Sequence, residues 1–146
     1  RFRKELSSQL GEEVRFAFRG HPTAPAPNIL MGWDDWSNIS QQQALEDGSV
    51  LITDYSSLIF EYALLKRPMV FYAYDLEKYN GDRSFFYPYE SFVPGKIVKD
   101  TDELIEALKE AEKGKNEKVL SEFTEKFMSS CDGKSTERVF ERFIKN

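Results

Sequence analysis

The feature that most restricts this chain is a change of period near its middle. Val50, Leu51 and Ile52 form a short continuous apolar run. That is the pattern of a strand buried on both faces of a parallel sheet. From Ser57 onward the apolar residues Leu58, Tyr62 and Leu65 recur at helical spacing. Met69 to Tyr72 is a second continuous apolar run, opened by Pro68, a position a strand permits. Strands that alternate in this way with helices predict an α/β chain with a Rossmann-like, doubly wound parallel sheet.

The rest of the chain extends the alternation. Phe2, Leu6 and Leu10 are four apart and predict a helix, with Gly11 as its C′ residue. Val14 to Phe18 alternates apolar and polar residues, a strand. Thr23 to Pro27 is loop, Asn28 to Met31 a short strand, and Gly32 to Asn38 a loop with Trp33 and Trp36. Ile39 to Leu45 predicts a helix that ends near Gly48. Asp75 to Tyr89 reads as irregular, aromatic and charged. Ile97-Val98 is a fifth strand, and Asp100 with Glu103 has capping-box spacing. Leu104, Ile105, Leu108 and Ala111 mark the buried side of the next helix. After a charged break at Lys113 to Lys118, Val119, Leu120, Phe123 and Phe127 line another. Val139, Phe140, Phe143 and Ile144 line the last. With 146 residues the chain suffices for one domain over residues 1–146. It begins at Arg1, inside a predicted helix, and reads as a fragment of a longer protein.

Between the Val50 strand and the helix lies Thr53-Asp54-Tyr55-Ser56-Ser57. Ligands of open α/β sheets bind outside the carboxyl ends of strands. A helix N-terminus offers free N–H groups and partial positive charge to a phosphate, and the two serines could add hydroxyl donors. The alternative is a plain helix cap by Asp54 or Ser56. No glycine marks close backbone approach, and Asp54 repels an anion unless it points away. His21, the only histidine, stands at a predicted strand end before Pro22. It can serve a phosphate or act as acid or base, or simply pack in a loop. Arg19 is the neighbouring cation, or a solvated strand-end charge. Glu61, one turn past Ser57, can accept from a ribose or glycerol hydroxyl, or pair with Lys66 or Arg67. Asp82, Arg83, Tyr87, Tyr89 and Glu90 crowd the long loop, where aromatics stack a base, form a lid or make a loop core. Gly133-Lys134-Ser135 is not a P-loop: the first glycine is missing and no buried strand precedes it. Ser135 instead suits a cap, with Arg138 one turn on.

The central block carries a resemblance. Leu51 to Leu65, LITDYSSLIFEYALL, resembles the CDP-glycerol glycerophosphotransferase family, the polymerases and primases of teichoic acid synthesis. Lys66 to Val98, KRPMVFYAYDLEKYNGDRSFFYPYESFVPGKIV, continues it. So do Arg19-Gly20-His21-Pro22 upstream and Asp132 to Val139 downstream. The resemblance implies the C-terminal, donor-binding half of a two-domain GT-B fold. It implies transfer of glycerol phosphate from CDP-glycerol to a polyol-phosphate acceptor, with release of CMP; a close variant uses CDP-ribitol. His21 would then be catalytic, at the diphosphate or the leaving group. Ser56, Ser57, Arg19 and Arg138 would bind the diphosphate, and Glu61 and Asp54 a ribose or glycerol hydroxyl. The acceptor's base would be a histidine of the other, N-terminal half, a partner that the resemblance implies for this chain. The resemblance also implies a cytoplasmic location, peripheral at the inner face of the membrane, reached through the parent protein. The sequence departs from the family at Gln41-Gln42-Gln43, where more apolar residues are usual, and at Ser49, where the family has aspartate.

Composition excludes several other classes. A net charge of −5 argues against a generic nucleic-acid binder and a polybasic membrane patch. One cysteine, Cys131, rules out an internal disulfide and a cysteine-based zinc site. No Asp, His or Cys cluster has metal-ligand spacing, and no cofactor is expected. The competing reading is a non-catalytic α/β module that binds a nucleotide or a protein partner. A second Rossmann-like half encoded upstream would favour the enzyme over the module.

Overall fold

The structure, a computed structural model, describes residues 2–11, 13–20, 32–82, 85–114 and 117–145. Its strands are β1 (Ala17–Phe18), β2 (Asp34–Asp35), β3 (Leu51–Thr53), β4 (Met69–Tyr72) and β5 (Lys96–Val98). Its helices are α1 (Phe2–Leu10), α2 (Gln41–Asp47), α3 (Leu58–Ala63), α4 (Leu76–Asp82), α5 (Tyr89–Phe92), α6 (Thr101–Glu112), α7 (Glu117–Met128) and α8 (Ser135–Phe143).

All described strand pairings are parallel. β1 and β2 form a pair, and β3-β4-β5 a three-stranded sheet in chain order. The alternation of side chains across the sheet divides the core in two. Leu51, Met69, Phe71 and Ile97 face one cluster, with Ile59, Tyr62 and Ala63 of α3 and Leu120 and Phe123 of α7. Ile52, Val70, Tyr72 and Val98 face the other, with Leu6 of α1 and Leu104, Ile105 and Leu108 of α6. Helices therefore cover both faces, which is why the strands read as continuous apolar runs. Phe16 and Trp33, which flank β1 and β2, pack against the second cluster beside Val50 and Ile52. The expected doubly wound α/β class is observed.

Local chemistry sets the element ends. Ser40 caps α2 by accepting from the Gln43 N–H at 3.1 Å, so that helix starts two residues later than the expected Ile39. Asp100 accepts from the Glu103 N–H at 2.9 Å, and Glu103 reaches back to the Lys99 N–H at 2.7 Å, close to the expected capping box. A Cβ on Gly95 would lie 2.2 Å from the Met69 carbonyl oxygen, so only glycine fits where the chain enters β5.

The Asn28–Met31 strand lies outside the described residues; the strand that pairs with β1 is Asp34–Asp35, in the stretch expected to be loop. The Asp75–Tyr89 segment is not irregular throughout: it contains α4 and leads into α5. Long-range packing is the cause, because Leu76 and Tyr89 are both buried in the first cluster. Ser135 is the first residue of α8 rather than its cap; Asp132 instead accepts from the Lys134 N–H at 2.9 Å. No helix among the described residues is long and apolar enough to cross a membrane.

Candidate functional site

Parallel pairing carries the ends of β3, β4 and β5 to one edge of their sheet. β3 ends at Thr53, and the four residues Asp54 to Ser57 connect it to α3. This connection lines a cavity of about 160 Å³ with Ile59, Phe60, Phe85, Tyr89 and Phe92. The two serines differ in what they do. The Ser56 hydroxyl accepts from the Leu58 N–H at 3.2 Å, so it closes the first turn of α3. Ser57 is the N-cap residue by position, yet its side chain makes no capping bond. It is exposed, which leaves its hydroxyl available at the sheet's carboxyl edge.

The backbone of the connection is held from outside. The Tyr89 hydroxyl donates to the Asp54 carbonyl at 2.7 Å. The Tyr55 hydroxyl donates to Asp75 Oδ1 at 2.8 Å. The Tyr55 ring stacks on Tyr79 with centroids 3.7 Å apart and meets Tyr89 edge-on at 5.4 Å. Burial pushes the Tyr55 phenol up, helped by its bond to Asp75. Burial does the same for Tyr89, with Tyr55 and Asp54 adding to it. Both therefore stay protonated, and stay donors, at any ordinary pH. The Asp54 carboxylate is exposed and accepts from the Tyr55 N–H at 2.7 Å.

The other expected residues are placed as follows. Glu61 does not pair with Lys66 or Arg67. It accepts from the Gln41 amide at 3.1 Å, and Arg67 donates to the Glu46 and Gly48 carbonyls instead. Arg19 follows β1 and is half-buried; its Nε is buried without a hydrogen-bond partner among the described residues. Arg138 is committed within its own turn. It donates to both Asp132 carboxylate oxygens at 2.7 and 2.9 Å, to the Ser130 carbonyl and to the Ser135 hydroxyl. That bonding, with the Lys134 N–H, holds the Asp132 carboxyl below the usual carboxylate range. His21 and Arg83 lie outside the described residues. Tyr87 stacks on Phe92 at 5.7 Å, and Asp82 ends α4. The struts from Tyr89 to the Asp54 carbonyl and from Tyr55 to Asp75 do not follow from any local sequence pattern. The cluster of tyrosines in the segment after β4 was the only signal that pointed to them.

Comparison with known proteins adds the following. The family model for CDP-glycerol:poly(glycerophosphate) glycerophosphotransferase matches residues 3–145. The chain is 44% identical over 121 residues to the teichoic acid ribitol-phosphate primase of Bacillus spizizenii, covering 83% of this chain and 30% of that protein. It is 54% identical over 90 residues to the teichoic acid ribitol-phosphate polymerase TarL of Staphylococcus aureus, covering 62% of this chain and 16% of that protein. It superposes on the wall teichoic acid polymerase TagF with a TM-score of 0.77 at 29% identity, over 94% of this chain and 36% of that one. The chain thus spans less than a third of the length of the curated relatives it matches. The superposition bears out the fold class expected from the sequence, a Rossmann-like half of a GT-B architecture.

Proposed function

Because the chain belongs to the CDP-glycerol:poly(glycerophosphate) glycerophosphotransferase family, we propose that it is the donor-binding part of such an enzyme. The whole enzyme transfers glycerol phosphate from CDP-glycerol to a polyol-phosphate acceptor. An acceptor hydroxyl attacks the donor's β-phosphorus. The new P–O bond forms as the bond to the bridging oxygen breaks, CMP leaves, and the acceptor's proton passes to a base in the enzyme's other half. In this reading residues 1–146 are one domain of a two-domain protein that works at the cytoplasmic face of the membrane.

The observation that carries the reading is the free Ser57 hydroxyl at the carboxyl end of β3, inside the block that carries the family match. Ser57 and Ser56 hold the diphosphate, and Arg19 brings a cation with an uncommitted Nε. Glu61 is exposed and retains acceptor capacity beyond its bond to Gln41, which suits a ribose or glycerol hydroxyl. The Asp54 carboxylate, whose Oδ1 already takes the Tyr55 N–H, is the second candidate for that hydroxyl. Arg138 reaches a phosphate only by giving up Asp132. His21 acts at the diphosphate or the departing CMP. In the full-length enzyme His21→Ala should lower kcat about 10²-fold or more with little change in melting temperature. Wild-type kcat with a large drop in the melt would make His21 structural.

A second reading keeps the mechanism and changes the polyol. Both curated relatives described above are ribitol-phosphate enzymes, which favours CDP-ribitol as donor. Calorimetric titration with CDP-glycerol, CDP-ribitol and cytidine tests both. Tighter binding of one CDP-polyol than of cytidine selects the donor, and equal binding of all three removes the diphosphate site.

A further inference from the structure

We propose that Tyr89 is a positioning residue that sets the serine connection through the Asp54 carbonyl, with Tyr55 and Asp75 as a second strut. This rests on the donor-binding reading above.

A site that grips a diphosphate with one or two hydroxyls needs those groups fixed before the ligand arrives. A four-residue connection between a three-residue strand and a six-residue helix has little to fix it locally. Here it is tied at successive residues, two of them from distant segments. The Asp54 carbonyl is held by Tyr89, 35 positions away in sequence. The Tyr55 side chain is held by Asp75, 20 positions away. The Ser56 hydroxyl is held by the Leu58 N–H. Ser57 is left with its hydroxyl free at the end of this braced run. Tyr89 is itself well packed: it is 4% exposed, begins α5, and meets Phe71 of β4 edge-on at 6.1 Å. The sheet thus supports Tyr89, and Tyr89 supports the connection. Neither tyrosine hydroxyl has to touch the donor for this role.

The test uses the full-length parent enzyme. Tyr89→Phe removes one oxygen and keeps the ring contacts with Tyr55, Phe71 and Phe85. CDP-glycerol should bind roughly tenfold more weakly, the loss of about one net hydrogen bond, while cytidine binding stays unchanged. Combined with Ser57→Ala, the two losses should be less than multiplicative, because Tyr89 acts through Ser57. Tyr55→Phe should act in the same direction and serves if Tyr89→Phe does not fold. If Ser57→Ala weakens CDP-glycerol and both Phe variants bind it as wild type does, the positioning role is overturned and the serine site stands. Fully multiplicative losses also overturn it. If Ser57→Ala itself leaves CDP-glycerol affinity unchanged, the donor-binding reading fails and takes the brace with it.

Discussion

Adjacent serines with the same side chain are set to different tasks by one hydrogen bond. The Ser56 oxygen accepts from the Leu58 N–H and keeps its O–H to donate, whereas Ser57 makes no capping bond. Their alanine variants should therefore separate. Ser56→Ala should cost about 1 kcal/mol of stability, the usual worth of a side chain that closes a helix end, and weaken CDP-glycerol as well. Ser57→Ala should leave the melt nearly unchanged and weaken CDP-glycerol by about tenfold or more, since a hydrogen bond to a charged group is worth roughly 1.5–3 kcal/mol. A thermal melt beside a titration decides it; unchanged CDP-glycerol affinity in both variants would remove the phosphate role from the serines. Gly95 sits at the other extreme, where only backbone space matters. A Cβ there meets the Met69 carbonyl oxygen at 2.2 Å, and backbone cannot yield as a side chain can. Gly95→Ala should destabilise by about 3 kcal/mol, in the upper range of overpacking costs, read as a shifted denaturant midpoint with an unchanged slope.

Elements divide by whether their cause is local. β3 and β4 were legible because a strand covered on both faces is apolar at every position, as Met69, Val70 and Phe71 are. α6 was legible from its cap and from Leu104, Ile105, Leu108 and Ala111, all buried as spaced. α4 was not. Its sequence includes Asn80 and Gly81, poor helix formers, and what holds it is Leu76 in the core and Tyr79 stacked on Tyr55 from another element. A contact such as Tyr79 on Tyr55, across 24 positions, leaves no local pattern to read. The same holds for the site: the serine connection was legible from the change of period, but the struts that brace it were not. These buried phenols also predict a pH dependence. Burial pushes Tyr62 up to about 12, against an opposing pull from Arg67, and its hydroxyl donates to the Gly48 carbonyl at 2.8 Å. Tyr55 and Tyr89 are shifted in the same direction. Between the ordinary tyrosine value near 10 and the raised folded values, the unfolded chain ionises and the folded chain does not. The folded state binds more protons there, so stability falls as pH rises. The melting temperature should hold to about pH 9 and then drop steadily toward pH 12, with the share of tyrosinate absorbance that belongs to these three phenols appearing only on unfolding. A flat melt across that window would mean that the three phenols ionise in place.

At the scale of the whole molecule, completeness of the core and completeness of the chemistry come apart. Both faces of the three-stranded sheet are covered, by α3 and α7 on one side and α1 and α6 on the other. A sheet closed on both faces does not need a further domain to bury it. α8 is the exception, because Val139, Phe140, Phe143 and Ile144 are all at least half exposed and none of its residues is buried. Its loss would cost the core nothing, and its presence does not complete one. The 146-residue chain should therefore fold alone with a cooperative melt. Its proposed chemistry is not complete in the same way. His21 is its only histidine and is proposed to serve the diphosphate or the departing CMP, so the acceptor's proton has no second histidine to go to. The chain also spans 16% to 30% of the curated relatives described above. We therefore expect the isolated chain to bind CDP-glycerol more tightly than cytidine and to release no CMP when a polyol-phosphate acceptor is added. Calorimetry and a CMP-release assay on one preparation separate the outcomes. Donor binding without turnover supports a donor-binding half. Turnover above a no-protein control would place the whole reaction, base included, within these 146 residues. A folded chain that binds CDP-glycerol no better than cytidine would leave the α/β scaffold intact and remove the donor site from it.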